Sequence, residues 1–446
     1  MKNATRKRST APAEPQPSAP AGSVPAEQPH FGEPATTPDP LKFRTKHDAA
    51  GDKAAYAILD KEEGKLQPTA FPAVPGPDEP VLALSDVYGA NGPDLMKVIQ
   101  GYGQIVFHSL GDTGNTKGPK DQNEVVDKLA SDFEENQPAD LPAFLYHLGD
   151  VVYSFGEAAY YYDQFYDAYR DYPAPILAIP GNHDGMVAPG TSAQPLTAFL
   201  ANFCTAGQRL HTTQEAGGLV RTAQIQPGVY FTLEAPFVRI LGLYSNVLED
   251  PGIISSEDGT YKDLTDVQLA YLQAALTRIK KQNFAGAVII AVHHPPYVAT
   301  TKPKKAKGKH GGSGGMLSEI DAICAKTGIW PHAVLSGHAH NYQRFTRAFG
   351  GRQTPFIVCG NGGHAVSKLT RKSTPPLRTP ADQPLLSNGS DSIRFERYDD
   401  QDFGYLRIVV SAKQLRIEYH PASDGASAKT PDDSVSVDLA TRTLVA

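Results

Sequence analysis

The chain has 446 residues, of which 40% are hydrophobic and 20% charged, so it can bury a large core in one big domain or two ordinary ones. Its net charge of -6 is mild and lysine and arginine are dense in only one loop, which excludes a nucleic-acid partner on composition. No apolar stretch approaches the roughly 20 residues that cross a bilayer, and the basic start leads into proline and alanine. We therefore expect no membrane span and no signal peptide, with the cytoplasm as the default compartment.

Composition divides the chain into three parts. Residues 1–40 are rich in Pro, Ala, Glu, Ser and Thr and nearly lack aliphatic side chains, which predicts a disordered tail. Residues 41–80 carry scattered apolar side chains without periodicity, which predicts a lead-in segment that packs on the core. The core domain is predicted over residues 81–446. Its three cysteines are widely separated and odd in number, so we interpret them as packing residues.

Five short polar segments follow one another along this core, each after an apolar, β-prone run. They are Gly111-Asp112-Thr113-Gly114, Gly149-Asp150-Val151-Val152-Tyr153, Gly181-Asn182-His183-Asp184, His293-His294-Pro295-Pro296 and Gly337-His338-Ala339-His340. Each is expected just beyond a buried strand, where open α/β sheets place their chemistry.

The segments between these motifs predict the fold. Residues 121–133 and 267–279 show helical periodicity, the second behind a capping-box pattern at 265–268. Residues 228–243 and 405–419 each read as an antiparallel hairpin. Because hairpins are mixed with crossover units of about 30 residues, we predict an α/β fold of two packed mixed β-sheets flanked by helices, an α/β/β/α sandwich.

The motifs together offer ligands for two metal ions. A cation pair needs a bridging carboxylate and neutral ligands that complete each shell, and here these are Asp112, Asp150, Asn182, His293, His338 and His340. A lone Gly-Asp is usually a turn or a helix cap, and Gly-Asn-His-Asp alone could be a polar loop. The last two histidines would face the same side of an extended strand end. The appearance of all five motifs in order favours the metal site.

The five blocks in this order resemble the calcineurin-like metallophosphoesterases, over about residues 100–420. Two details resemble the purple acid phosphatase branch. Gly114 stands where many of these enzymes carry a metal-binding histidine, and Tyr153 lies three residues after Asp150, where the purple enzymes place the tyrosine that binds ferric iron. Alone, Tyr153 would be interpreted as a packing aromatic. The block Cys359–His364 extends the resemblance.

The resemblance implies a binuclear centre of Fe(III) and a divalent ion, which would be Fe, Zn or Mn. It implies a ferric site of Asp112, Tyr153 and His340, a divalent site of Asn182, His293 and His338, and a bridging Asp150. His293 is preferred to His294 because the family's ligand stands two residues before the first proline. The plant enzymes' additional amino-terminal β-domain has no room here, and Gln343 and Asp184 each replace a usual glutamate, so substrate preference is not transferable.

The function implied is hydrolysis of small phosphate monoesters by a metal-activated hydroxide. His183 is the candidate for protonating the leaving group or orienting the phosphate, with a structural histidine bonded to backbone as the alternative. His294 is a second candidate. The Gly- and Lys-rich loop at 302–315 predicts either a substrate-binding lid carrying His310 or a solvated surface loop.

Two other functions stay open. The same centre could serve a phosphodiesterase acting on cyclic nucleotides or phospholipid headgroups. A partner-binding scaffold without catalysis would be expected to have lost ligands, whereas every metal position is filled here. The expected partner is a small phosphate ester, with no nucleic acid and no membrane, and the sequence does not fix the oligomeric state.

Overall fold

A computed structural model describes residues 31, 70–72, 79–134, 137–188, 192–204, 210–216, 221–246, 251–299, 310–369, 392–425 and 429–445. Nearly all of the predicted tail and most of the predicted lead-in lie outside these residues, so the domain boundaries stay a prediction. Within them, the ring of Phe31 lies 5.3 Å from that of Tyr88, and Phe71 lies 6.0 Å from Tyr244. In these ranges no helix is both long and apolar enough to cross a bilayer.

The described core alternates strands with helices. The strands are β1 (Val81–Ala83), β2 (Gln104–Leu110), β3 (Pro142–His147), β4 (Ile176–Ala178), β5 (Phe231–Ala235), β6 (Val238–Leu243), β7 (Ala287–Val292), β8 (Ala333–Ser336), β9 (Tyr342–Phe349), β10 (Arg352–Cys359), β11 (Ser392–Asp399), β12 (Gly404–Ser411), β13 (Gln414–Pro421) and β14 (Asp433–Asp438). The α-helices are α1 (Leu84–Val87), α2 (Gly92–Tyr102), α3 (Lys120–Ser131), α4 (Asn182–Gly185), α5 (Thr197–Phe203), α6 (Val267–Lys281) and α7 (Gly314–Thr327).

These strands form two mixed sheets. One has the order β1-β5-β6-β7-β8-β10-β9-β11 and the other β14-β13-β12-β2-β3-β4. The pairs β2–β3, β3–β4, β6–β7 and β7–β8 are parallel, whereas β5–β6 and β12–β13 are the two predicted hairpins and are antiparallel. Helices α6 and α7 contact each other and α6 contacts β6, while α2 contacts β2 and α3 contacts β12. The predicted α/β fold of two sheets flanked by helices is confirmed.

Burial explains why the central strands carry unbroken apolar runs. All residues of β3 and of β7 are buried, as expected for parallel strands covered on both faces. Between the sheets, the ring of Tyr146 on β3 lies 6.3 Å from that of Phe231 on β5. Each of the five polar motifs begins within three residues of the end of a strand, after β2, β3, β4, β7 and β8. Three motifs therefore belong to the six-stranded sheet and two to the eight-stranded sheet.

Two local expectations were wrong. Helix α6 begins at Val267, and its N-cap residue Asp266 makes no side-chain cap bond, so the capping box is absent. The predicted box residue Gln268 is buried and bonds the backbone of Tyr244 instead, at 2.9 Å to its N–H and 2.8 Å to its carbonyl. The second error concerns His338, which has a left-handed φ of 68° and is not part of an extended strand end.

Candidate metal centre

Sharp left-handed turns carry three of the predicted ligands into one place. Asp112, Asp150 and His338 have φ values of 59°, 56° and 68°, a region that L-residues rarely adopt. Neighbouring glycines make room for them. A β-carbon at Gly181 would lie 2.1 Å from Oδ1 of Asp150, and one at Gly337 would lie 2.6 Å from Oδ2 of Asp112. The glycines of the motifs therefore allow the backbone to approach the carboxylates closely.

One group of ligand atoms surrounds the phenol oxygen of Tyr153. This hydroxyl lies 2.9 Å from Oδ1 of Asp112 and 2.7 Å from Oδ2 of Asp150. Nε2 of His340 lies 3.4 Å from the same phenol oxygen and 3.5 Å from Oδ1 of Asp112. The structure thus brings together the four residues predicted around a ferric ion.

A second group surrounds the amide oxygen of Asn182. Nε2 of His293 lies 3.1 Å from this oxygen, and Nδ1 of His338 lies 3.2 Å from it. Nε2 of His293 is also 3.3 Å from Oδ2 of Asp150, the carboxylate oxygen that contacts Tyr153. The two groups therefore share one carboxylate oxygen. Ligand atoms of Asp112, Asp150 and His293 all lie within 4.8 Å of one another, and these three residues form a candidate metal-binding cluster.

The chemistry of the second group fits a cation. Nδ1 of His293 donates to the carbonyl of Leu148 at 2.8 Å, so Nε2 of the neutral ring carries a lone pair. That lone pair faces oxygens of Asn182 and Asp150, which are acceptors too, and a positive charge between the three acceptors would stabilise their approach. Burial alone would lower the pKa of His293, but the Asp150 carboxylate raises it to about 9, so a proton can serve as that charge.

The first group would need a cation if Tyr153 lost its proton. Burial raises the pKa of Tyr153 well above its ordinary value, and the charges of Asp112 and Asp150 raise it further. Burial opposes ionisation of Asp150, yet the positive charges of His293 and His183 hold its pKa below the ordinary value. A phenolate between two carboxylates is therefore stable only when a metal ion compensates their charge. Carboxylate and imidazole side chains are common ligands of metal ions in proteins.

Asp184 ties two of the motif loops together. Its buried carboxylate accepts from the N–H groups of Gly181 at 2.9 Å, Val151 at 3.0 Å and Val152 at 3.3 Å. Burial and then the charge of Asp150 raise the pKa of Asp184 to about 7. The three N–H groups act in the opposite direction, because their hydrogen bonds stabilise the ionised carboxylate and lower its pKa. Asp184 thereby fixes the loop of Asp150 relative to the loop of Asn182.

The three predicted catalytic histidines all lie beside these groups. The ring of His183 is 4.2 Å from that of Tyr153, and its Nδ1 donates to the carbonyl of Ser154 at 2.7 Å. His294 is fully buried, with Nδ1 2.7 Å from Oγ of Ser245 and its ring 4.2 Å from that of His338. Nε2 of His293 lies beside the ligand atoms of Asn182 and Asp150, and the preference for His293 over His294 stays a prediction.

His310 closes another side of the site. Its Nδ1 bonds the carbonyl of His338, and its ring lies 4.5 Å from His338 and 5.0 Å from His340. Residues 300–309 of the predicted lid lie outside the described residues, so the lid stays a prediction. The roles of all these residues as ligands or catalysts likewise stay predictions, although the structure brings every one of them together.

Sequence reasoning missed two contacts of Tyr153. His364 stacks on its ring at 3.5 Å between centroids with an interplanar angle of 11°, and His364 Nδ1 donates to the carbonyl of Gly114 at 2.7 Å. Gln164 bonds its backbone N–H and carbonyl. The block Cys359–His364 belongs to the family resemblance, and this is the sequence signal that points to His364. No sequence signal marks Gln164.

Fold and site together define an α/β protein of two packed sheets with a candidate metal centre at the strand ends. The sequence model of the calcineurin-like phosphoesterase family matches residues 80–342, more than half of the chain. The chain therefore belongs to the calcineurin-like phosphoesterase family.

Individual relatives are distant. The chain is 22% identical over 309 residues to an Arabidopsis thaliana protein named "Probable inactive purple acid phosphatase 9", which covers 64% of this chain but 42% of the relative. The chain thus spans less than half the length of this relative. The predicted resemblance to metallophosphoesterases of the purple acid phosphatase branch is confirmed by the family match and this relative.

Solved structures are similar at low identity. The purple acid phosphatase PPD1 from yellow lupin seeds is 17% identical with a TM-score of 0.48, over 75% of this chain and 54% of that chain. GAP50 of Plasmodium, described as the anchor in the inner membrane complex, is 14% identical with a TM-score of 0.47, over 75% of this chain and 89% of that chain.

Proposed function

We propose that the chain is a binuclear metal-dependent phosphohydrolase that acts on small phosphate monoesters. The observation that supports it is the sharing of Oδ2 of Asp150 between the group around Tyr153 and the group around Asn182. One carboxylate oxygen common to two sets of ligand atoms is the arrangement that two adjacent cations require.

Seven residues would hold the metals: Asp112, Tyr153 and His340 on one side, Asn182, His293 and His338 on the other, and Asp150 between them. Bound there, Fe(III) and a divalent ion would supply Lewis-acid activation of water and charge neutralisation of a phosphoryl group. Two carboxylates and one phenolate offset only part of the positive charge of such a pair, so the centre would attract an anion.

The chain's own residues would bind and protonate the substrate. His183, His340 and His364 are partly exposed, so they line the side of the centre that solvent reaches. Because Nδ1 of His183 donates to Ser154, Nε2 is the atom that would deliver a proton to the leaving oxygen. His310 contacts both His338 and His340, and would orient the phosphate together with the buried His294.

The test compares metal content, visible spectrum and turnover. Metal-free protein is loaded with Fe(III) and Zn(II), bound metal is counted by mass spectrometry, and rates are measured on p-nitrophenyl phosphate and bis(p-nitrophenyl) phosphate. We expect two ions per chain, a tyrosinate-to-iron band, and faster cleavage of the monoester. Asp150→Asn should lose the band and the turnover. The matched control is His332→Gln, because His332 is buried and lies outside the site.

Three outcomes would redirect the proposal. Faster cleavage of the diester would favour a phosphodiesterase. Metal-loaded protein without turnover on a broad panel of esters would favour a scaffold. An active, colourless protein with two divalent ions would remove iron and Tyr153 from the centre. For the predicted lid, unchanged kcat/KM of His310→Ala across several phosphate esters would remove His310 from substrate binding.

A further inference from the structure

Tyr153 is fixed at its backbone by a residue outside the proposed ligand set. The side chain of Gln164 closes a ring with this backbone, because Oε1 accepts from the Tyr153 N–H at 2.7 Å and Nε2 donates to the Tyr153 carbonyl at 2.6 Å. Gln164 is almost fully buried, with 1% of its surface exposed. Breaking buried hydrogen bonds of this kind costs free energy because the separated donor and acceptor cannot form hydrogen bonds to water instead.

Gln164 is itself held in an unusual piece of backbone. It lies in a single turn of π-helix, Tyr162–Tyr166, a conformation that is rare and concentrated at functional sites. The turn is tied to helix α3, because Nε2 of Gln122 donates to the carbonyl of Gln164 at 2.6 Å. The amide of Gln164 therefore reaches Tyr153 from a position that its own backbone contacts define.

The amide also occupies the space beside Gly114. A β-carbon at position 114 would lie 2.2 Å from Oε1 of Gln164 and 2.7 Å from Cα of Val152, distances that real side chains do not show. A side chain at 114 and the Gln164 amide in its present place thus exclude each other. The absence of a side chain at 114 is what lets Gln164 reach Tyr153.

We propose that Gln164 is a positioning residue of the metal centre. It takes the space that a side chain at 114 would fill and holds the Tyr153 backbone where the phenol oxygen contacts both Asp112 and Asp150. This inference rests on the proposed function, because it treats Tyr153 as a ligand. Gln164 acts through Tyr153 and contacts no substrate.

The test removes the two hydrogen bonds while keeping the volume. Gln164→Met should weaken Fe(III) binding by about 10- to 100-fold and shift or remove the tyrosinate band, because partners that orient a ligand typically contribute that much to affinity. Zn(II) binding should change less. The matched control is Gln268→Met, because Gln268 is equally buried and closes the same ring on the backbone of Tyr244. Gln268→Met should lose a similar amount of unfolding free energy and keep the tyrosinate band.

A second measurement needs no metal. In metal-free protein, hydrogen exchange of the Tyr153 amide should be slow in the wild type and in Gln268→Met, and faster in Gln164→Met. If Gln164→Met does not fold, Gln164→Asn takes its place, because its amide is one methylene shorter and no longer reaches both the N–H and the carbonyl of Tyr153.

Equal Fe(III) affinity and an unchanged band in the Gln164 variant would overturn the inference, as would a Tyr153 amide that stays protected. If the wild type binds no metal, the proposed function fails, and the exchange measurement then decides separately whether Gln164 fixes the Tyr153 backbone.

Discussion

Gly149 gives a quantitative test of how closely the backbone approaches the centre. It precedes Asp150 and has a φ of +97°, and a β-carbon there would lie 2.6 Å from the backbone nitrogen of Gly181 and 2.7 Å from Nδ1 of His293. Gly149→Ala therefore adds backbone strain and a steric overlap at once. Gly259 separates the two effects, because its φ is +85° and a β-carbon there meets nothing within 4 Å.

The expected magnitudes follow from these two geometries. Left-handed backbone costs an L-residue about 1–2 kcal/mol, and this term is common to Gly149→Ala and Gly259→Ala. Overlap with packed atoms costs about 1–3 kcal/mol more, and it applies at Gly149 alone. The overlap also displaces His293 from its bond to Leu148, so Gly149→Ala should retain less metal.

The assay is urea unfolding of both metal-free variants at one pH, followed by metal counting after loading. We expect Gly149→Ala to lose about 1–3 kcal/mol more unfolding free energy than Gly259→Ala. Equal losses, together with full metal retention by Gly149→Ala, would refute the reasoning that this glycine is required by the close approach to His293.

Three further predictions concern single side chains. Burial and then the charge of Arg442 lower the pKa of His332 to about 4. The neutral His332 ring therefore contributes its full share to the unfolding free energy above pH 6.5, and this share is lost as the pH falls toward 4. Over that window the wild type should lose about 3 kcal/mol of unfolding free energy that His332→Gln keeps, as urea unfolding across pH measures. Asp184→Asn turns an amide N–H toward a backbone donor and should cost about 1–3 kcal/mol of unfolding free energy and part of the bound metal. His364→Leu removes the stacking on Tyr153, which should cost about 0.5–1.5 kcal/mol and shift the tyrosinate band.

Each of these has an outcome that contradicts it. Parallel pH profiles of the wild type and His332→Gln would show that the buried ring does not resist protonation. Full stability and metal content in Asp184→Asn would mean that the carboxylate does not organise the two loops. An unchanged band in His364→Leu would show that ring stacking does not influence Tyr153.

The fold was predictable because its signals are local. Unbroken apolar runs such as β7 mark buried parallel strands, and short turns between apolar runs mark the hairpins β5–β6 and β12–β13. The convergence of the motifs then follows from the crossovers, because parallel strands bring their carboxyl ends to one edge. Asp112, Asp150 and Asn182 could be placed together on this ground alone.

The remaining parts of the site depend on contacts that no local pattern encodes. His364 reaches Gly114 across 250 positions of sequence, and its stacking on Tyr153 depends on how β10 ends beside β2. Gln164 reaches Tyr153 only because its backbone forms a π turn. The wrong expectation of a capping box has the same origin, since the bond from Gln268 to Tyr244 is a long-range contact that competes with a local cap.

The distribution of the motifs over the two sheets has a mechanical consequence. The six-stranded sheet carries Asp112, Asp150 and Asn182 at its strand ends, whereas the eight-stranded sheet carries His293 and His338. An ion bound by residues of both sheets would act as a cross-link between the two layers. Because it would bind only the folded protein, its binding free energy would add to the free energy of unfolding. Chelation should therefore loosen the whole sandwich, beginning at the edge where its two halves meet.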